Sequence, residues 1–255
     1  MDTSIKKQIH MVKLLLFVSA TFLLPAQSVL PRLHTDNAHG WWNYFGDHPI
    51  GESKWGAHLE VQWRRHDVVQ SWQQLLIRPA VNYTLHPNMI LTAGYGYIAT
   101  SRYGDFPVGV PFPEHRFFQQ AQVLQKLGKV GTTHRYRLEQ RELGELTVGP
   151  DGARKVVNWR HENRFRYMYR LLIPLRGKWS IALYDEIFIN FGKNVAANVF
   201  DQNRAYAAIG YNLPKKSRLE VGFMEQTVQQ RNGRIFENNH TLMVSIFSAM
   251  PFGKR

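Results

Sequence analysis

From Trp55 to Ile246 apolar and polar side chains alternate in one segment after another. A period of two presents two distinct faces only when the chain is extended, so this feature restricts the chain to an all-β fold. In residues 55–63, Trp55, Ala57, Leu59, Val61 and Trp63 point one way, and His58, Glu60 and Gln62 the other. The pattern recurs over residues 74–84, 91–100, 115–127, 135–141, 159–171, 179–190, 204–211, 218–226 and 242–246, which makes ten strands. The joints alternate in length. Short turns fall at residues 85–88, 128–131, 174–178 and 213–216, and longer Gly/Pro-rich loops at 101–113, 143–155 and 191–202.

Short turns on one side and long loops on the other are the build of a transmembrane up-and-down barrel, with the short turns in the periplasm. Trp at both ends of the apolar row in residues 55–63 fits an aromatic girdle at each membrane interface. Trp55, Trp63, Trp159, Tyr169, Trp179 and Tyr211 are the expected interface aromatics. The expected fold is a single antiparallel barrel of about ten strands, with twelve as the fallback, and an even count places both termini in the periplasm. A soluble sandwich or lipocalin-like barrel alternates in the same way but turns its apolar face inward. Alternation alone does not separate the two; strand length, girdle residues and loop asymmetry favour the membrane.

Residues 1–28 have the form of a cleaved signal peptide. Lys6, Lys7 and Lys13 precede an apolar run at residues 14–24, and Ala26, Gln27 and Ser28 offer a small-residue cleavage site. The run is shorter than the roughly 20 residues a spanning helix needs. Met11 is an alternative start. The mature chain is therefore expected in the bacterial outer membrane, with residues 29–53 as a periplasmic lead-in and 54–255 as the barrel. The mean hydropathy of −0.35 is no objection, because a barrel hides its apolar residues by alternation. There is no cysteine, hence neither disulfide framework nor thiolate metal site. Of the net charge of +13, Lys6, Lys7 and Lys13 less Asp2 account for +2, leaving about +11 after cleavage. The arginines lie within strand patterns rather than in one exposed patch, which argues against a nucleic-acid partner.

Several stretches, in this order and spacing, carry a family resemblance: Glu114-His115-Arg116, His134 to Arg141, Arg164-Phe165-Arg166, Tyr184-Asp185-Glu186, Asp201 to Arg204, and Asn239-His240. Together they resemble the bacterial outer-membrane barrels catalogued as domain-of-unknown-function family 2490, over about Trp42 to Ile246. The resemblance implies a barrel and supplies no activity.

The chemistry worth weighing lies on the polar phase. Arg116, Arg135, Arg137, Glu139, Arg141, Glu162, Arg164, Arg166, Glu186 and Arg204 are the candidate lumen and ligand residues, accompanied by Arg160, Arg170, Arg218, Glu60 and Glu220. They make either a lumen filled by Arg–carboxylate pairs or, since Arg outnumbers Glu, a narrow passage or pocket for anions. A lipid-modifying hydrolase or acyltransferase is the alternative from another class. It would need one of Ser101, Thr132, Thr133 and Ser245 beside one of His115, His134, His161 and His240. No recognisable catalytic arrangement appears, so no enzyme activity, cofactor or metal site is expected. Asp185 falls on the outer phase, so it lies near an interface or a bulge shifts the phase. Expected partners are outer-membrane lipid including lipopolysaccharide, the barrel-assembly machinery, and a protein partner if the apolar face meets another barrel.

Overall fold

The computed structural model describes residues 31–252, and the signal-peptide expectation for residues 1–28 lies outside them. Eleven strands follow one another: β1 (Leu33–Pro49), β2 (Trp55–His66), β3 (Ser71–His86), β4 (Met89–Thr100), β5 (Phe112–Leu127), β6 (Val130–Val148), β7 (Arg154–Pro174), β8 (Trp179–Phe191), β9 (Phe200–Leu213), β10 (Ser217–Gln229) and β11 (Ile235–Ser248). Each pairs antiparallel with its neighbours in sequence, and β1 meets β11 to close the barrel.

The ten expected strands are β2 to β11. The eleventh comes from the segment assigned to a lead-in, so the barrel begins at Leu33, not at 54. Period-two logic missed β1 because Trp41 and Trp42 place a large aromatic on each face. Trp41 is buried inward, while Trp42 packs outward on Trp63 with ring centroids 5.2 Å apart. An odd count forces one parallel junction, and β1 runs parallel to β11, with Trp41 opposite Met243. Parallel pairing is slightly weaker per residue. Here lumen-side bonds reinforce it, Asn37 Nδ2 donating to Asn239 Oδ1 at 3.0 Å and Asn43 Nδ2 to Ser245 Oγ at 3.0 Å. The odd count also separates the ends of the barrel. Leu33 lies at the long-loop end and Ser248 at the short-turn end, so the expectation of both termini on one side does not hold.

The expected loop at residues 143–155 is smaller than its glycines suggest. Strands β6 and β7 continue as a paired hairpin to Val148 and Arg154. Gly144 is a strand position where a Cβ would lie 3.1 Å from Pro113.

The polarity is inverted relative to a soluble barrel. Phe117, Phe223 and Ile209 are 53%, 51% and 59% exposed on the outer wall, whereas Glu139 and Glu220 inside are 0% exposed. Trp55 packs at a tilt on Tyr83 and Trp179 edge-on against Tyr211 at the short-turn end, each pair with ring centroids 4.8 Å apart. Trp63 meets Trp72 at 6.1 Å towards the long-loop end. The interior has two sides. Trp41, Ala182, Tyr206, Ala208, Met224 and Met243 make an apolar cluster on β1 and β8–β11. The facing wall, on β2–β7, carries most of the charge. Small residues make room there: a Cβ on Gly96 would lie 2.7 Å from the stem of Arg78.

Candidate functional site: an arginine-lined lumen

Antiparallel register stacks the inward positions of neighbouring strands into rows. Arg116 lies opposite Arg141, Arg137 opposite Arg166, Glu139 opposite Arg164, and Glu186 opposite Arg204. Facing arginines repel unless carboxylates stand between them, and the structure supplies those carboxylates diagonally. Glu139 is the hub. Its Oε2 accepts from Arg164 Nε at 2.9 Å and Nη2 at 2.6 Å, and its Oε1 from Arg166 Nη1 at 2.7 Å. Arg78, Arg116 and Arg137 bring further guanidinium nitrogens to within 3.6, 3.6 and 3.8 Å of the same carboxylate.

Around this hub, Glu186 takes Arg135 at 2.7 Å and Arg166 at 2.8 Å. Glu114 takes Arg116 at 2.6 Å and Arg141 at 2.8 Å, Asp201 takes Arg164 at 2.7 Å, and Glu60 pairs with Arg78. These side chains form a plate across the middle of the lumen. Towards the rims Glu162 serves Arg160 at 2.9 Å and Arg231 at 2.6 Å, and Glu220 serves Arg218 at 2.8 Å and Arg170. All ten candidate lumen residues are thus brought into the interior.

The charges do not balance. In mid-lumen Arg64, Arg78, Arg116, Arg135, Arg137, Arg141, Arg164, Arg166 and Arg204 face Glu60, Glu114, Glu139, Glu186 and Asp201, nine cations against five carboxylates. Arg64 and Arg204 make no ion pair among the described residues. Arg64 donates to Gln62 Oε1 at 2.9 Å and Gln74 Oε1 at 2.7 Å, and Arg204 to Gln202 Oε1 at 3.0 Å. Both guanidiniums lie over Trp41, with Cζ 3.6 Å and 5.0 Å from the ring centroid. Such cation–π contacts offset part of the desolvation of a buried guanidinium.

The plate divides the lumen into two cavities. One, of about 220 Å³, opens towards the short turns past Phe45, Asp47, Arg218 and Phe247; the other, of about 170 Å³, lies towards the long loops below Tyr103. The β4–β5 loop, residues 101–111, folds over that second cavity. Tyr103 Oη donates to Glu237 at 3.2 Å, Thr35 Oγ1 to Asp105 at 2.6 Å, and Gln230 Nε2 to the Phe106 carbonyl at 3.0 Å. Burial, with the Glu237 carboxylate alongside, pushes the Tyr103 phenol above its ordinary range.

On the outer wall Trp55, Trp63, Trp159 and Trp179 are exposed, and Tyr169 and Tyr211 half-buried. Asp185 is outward too, with no bulge at its position. It lies six residues above Trp179, at mid-depth of the wall, and accepts from Asn203 Nδ2 at 3.1 Å. Among the described residues no Ser or Thr hydroxyl bonds to any of the four candidate histidines. His115 meets Tyr95, His134 meets Tyr167 at 2.8 Å, His161 meets Glu142 at 2.6 Å, and His240 meets Glu225 at 2.8 Å. Ser245 is buried in the lumen wall. The described residues also hold no group of three His, Cys, Asp or Glu side chains able to bind a metal.

The sequence candidates left out Trp41, Arg64, Arg78, Glu114 and Asp201. Arg64, Arg78 and Glu114 share the inward phase of Glu60 and Arg116 and could have been found by extending those rows. Asp201 could not. A register shift at Phe188/Ile189 turns it inward beside Gln202.

Compared with known proteins, the family described as "Protein of unknown function (DUF2490)" matches residues 38–237. An uncharacterized protein of Methylorubrum extorquens is 28% identical over 196 residues, covering 74% of this chain and 78% of that one. Among solved structures, the NanC porin aligns over 77% of this chain and 90% of its own, at 11% identity and a TM-score of 0.45.

Proposed function

The chain belongs to the DUF2490 family, and from that premise we propose that it is an outer-membrane barrel whose Arg–carboxylate plate narrows the lumen to, at most, a path for small anions. The observation that carries this is the inverted polarity: an apolar, aromatic-rimmed outer wall around a buried charged interior. In water such a wall would leave a large apolar surface exposed, and in lipid it is the ordinary condition of a barrel. The long loops then face outward and the short turns the periplasm. The signal in residues 1–28 exports the chain, the barrel-assembly machinery inserts it, and lipid including lipopolysaccharide surrounds it.

The plate supports the second half of the proposal. A small barrel has an interior little wider than its side chains, and here those side chains are locked to one another. Arginines that outnumber carboxylates make any residual path favourable to anions.

Planar-bilayer recording of the refolded protein tests this, with heat-shifted gel mobility as the check on folding. The expected record has no steps of open-porin size, and whatever small steps occur are anion-selective and lose that selectivity in the Arg137→Gln/Arg166→Gln variant. Large or cation-selective steps from the folded barrel overturn it.

A further inference from the structure

We infer that the cavity on the long-loop side of the plate is a binding site for a small oxyanion, carboxylate or phosphate in class, held between Arg64 and Arg204. The site depends on the lumen alone and does not require the membrane reading to hold.

Arg64 and Arg204 are only 6% and 8% exposed and lack any carboxylate partner among the described residues. Each Arg64 nitrogen donates to Gln62 or Gln74 and Arg204 Nε to Gln202, so what is left unmatched is the charge. A buried guanidinium without a paired counter-charge is costly, and its remaining N–H groups are available to water or an anion. Both are held in advance. Gln62 and Gln74 fix Arg64, Gln202 fixes Arg204, and Gln73 Oε1 accepts from Trp41 Nε1 at 2.8 Å, setting the ring on which both lie.

The other charges around the cavity do not cancel the surplus. Glu114 is engaged by Arg116 and Arg141, and Asp201 by Arg164. Glu237, beside Tyr103 on the loop side, accepts from Tyr103 Oη at 3.2 Å and Gln230 Nε2 at 2.7 Å, while Arg78 and Arg166 add positive charge to the lining. The cavity of about 170 Å³ would hold about five or six waters at roughly 30 Å³ each, which is room for one small oxyanion and a few waters. Guanidinium forks match the oxygen spacing of carboxylate and phosphate and bond them bidentately. The plate lies between this cavity and the one on the short-turn side, the two sharing Trp41, Arg78, Arg166 and Arg204 as walls, so the shorter way in for a ligand is past Tyr103 and the 101–111 loop.

The test is calorimetric titration of the refolded full chain in detergent with sodium phosphate and, in parallel, sodium acetate, at ionic strength held constant with sodium chloride. The expected result is saturable one-to-one binding of at least one of the two, which also names the class. Affinity falls about tenfold or more in Arg64→Gln and in Arg204→Gln, and stays unchanged in Arg218→Gln at the opposite rim. Heat-shifted gel mobility confirms that each variant folds. If one variant fails to fold, the other carries the test, alongside a rise in the wild-type unfolding midpoint with the bound anion. Absence of saturable binding to folded wild type, or binding that survives both substitutions, overturns the inference. A barrel that binds but does not enter bilayers contradicts the proposed function and leaves this site standing; one that inserts but does not bind does the reverse.

Discussion

Replacing Glu139 with Gln should cost the barrel about 3–5 kcal/mol of unfolding free energy, the range expected when one partner of a buried ion pair is removed. The side chain is 0% exposed and accepts three hydrogen bonds of 2.6–2.9 Å from Arg164 and Arg166. Arg78, Arg116 and Arg137 approach it at 3.6–3.8 Å. Glutamine keeps the shape but withdraws the charge that separates these guanidiniums, and it turns an NH₂ donor towards other donors. Lost hydrogen bonds to charge add to the repulsion, at roughly 1.5–3 kcal/mol each for bonds of this kind. The upper part of the range is therefore expected if the plate is dry. The assay is urea unfolding in phospholipid vesicles followed by tryptophan fluorescence. The double variant Glu139→Gln/Arg166→Gln should recover part of the loss, because it removes one of the stranded cations. A single-variant loss below about 1 kcal/mol, the range of solvent-exposed pairs, would refute the reasoning. It would mean that water screens the plate and that the lumen is wet throughout.

Two further substitutions probe other parts of the structure. Asp185→Leu removes an outward carboxylate at mid-depth and should stabilise the barrel in vesicles by about 1 kcal/mol, the lipid-face penalty less the lost bond to Asn203; a loss of stability would place Asp185 outside the apolar band. Val68 has φ 62° in the β2–β3 turn, a region that β-branched residues avoid. Val68→Gly should raise unfolding free energy by about 1 kcal/mol, once glycine's extra unfolded-state freedom is set against the relieved strain, and an unchanged urea midpoint would count against that strain.

Much of the barrel was legible because inward and outward roles alternate along most of β2 to β11, interrupted only at a few register shifts such as Phe188/Ile189. Arg135, Arg137, Glu139 and Arg141 form one run of alternate residues, and they stay in one phase because β6 has no register shift before Glu145/Leu146. What escaped has three physical sources. Trp41 and Trp42 hid β1, since aromatic residues on both faces erase the period of two, and the assumption of an even count then removed the segment from the barrel. Gly144 and Gly149 look alike in sequence, but one lets Pro113 approach a strand while only the other lies in the turn. The loop closure joins residues far apart in sequence, Tyr103 to Glu237 and Gln230 to Phe106, and no local pattern announces such contacts. The unpaired state of Arg64 and Arg204 belongs to the same class. Their phase can be read from the strand, but that neither forms an ion pair among the described residues is a property of the closed barrel.

The most direct test of the central claim uses the absence of native cysteine. Single cysteines placed at Val81, Ile209 and Val221 on the outer wall, and at Ser180 inside, can be spin-labelled without background. Their accessibility to oxygen and to a water-soluble nickel chelate is then measured in vesicles. The account predicts high oxygen and low chelate exposure at the three outer positions, and low exposure to both at Ser180. Outer labels open to the chelate would contradict it, because the apolar wall would then be facing water.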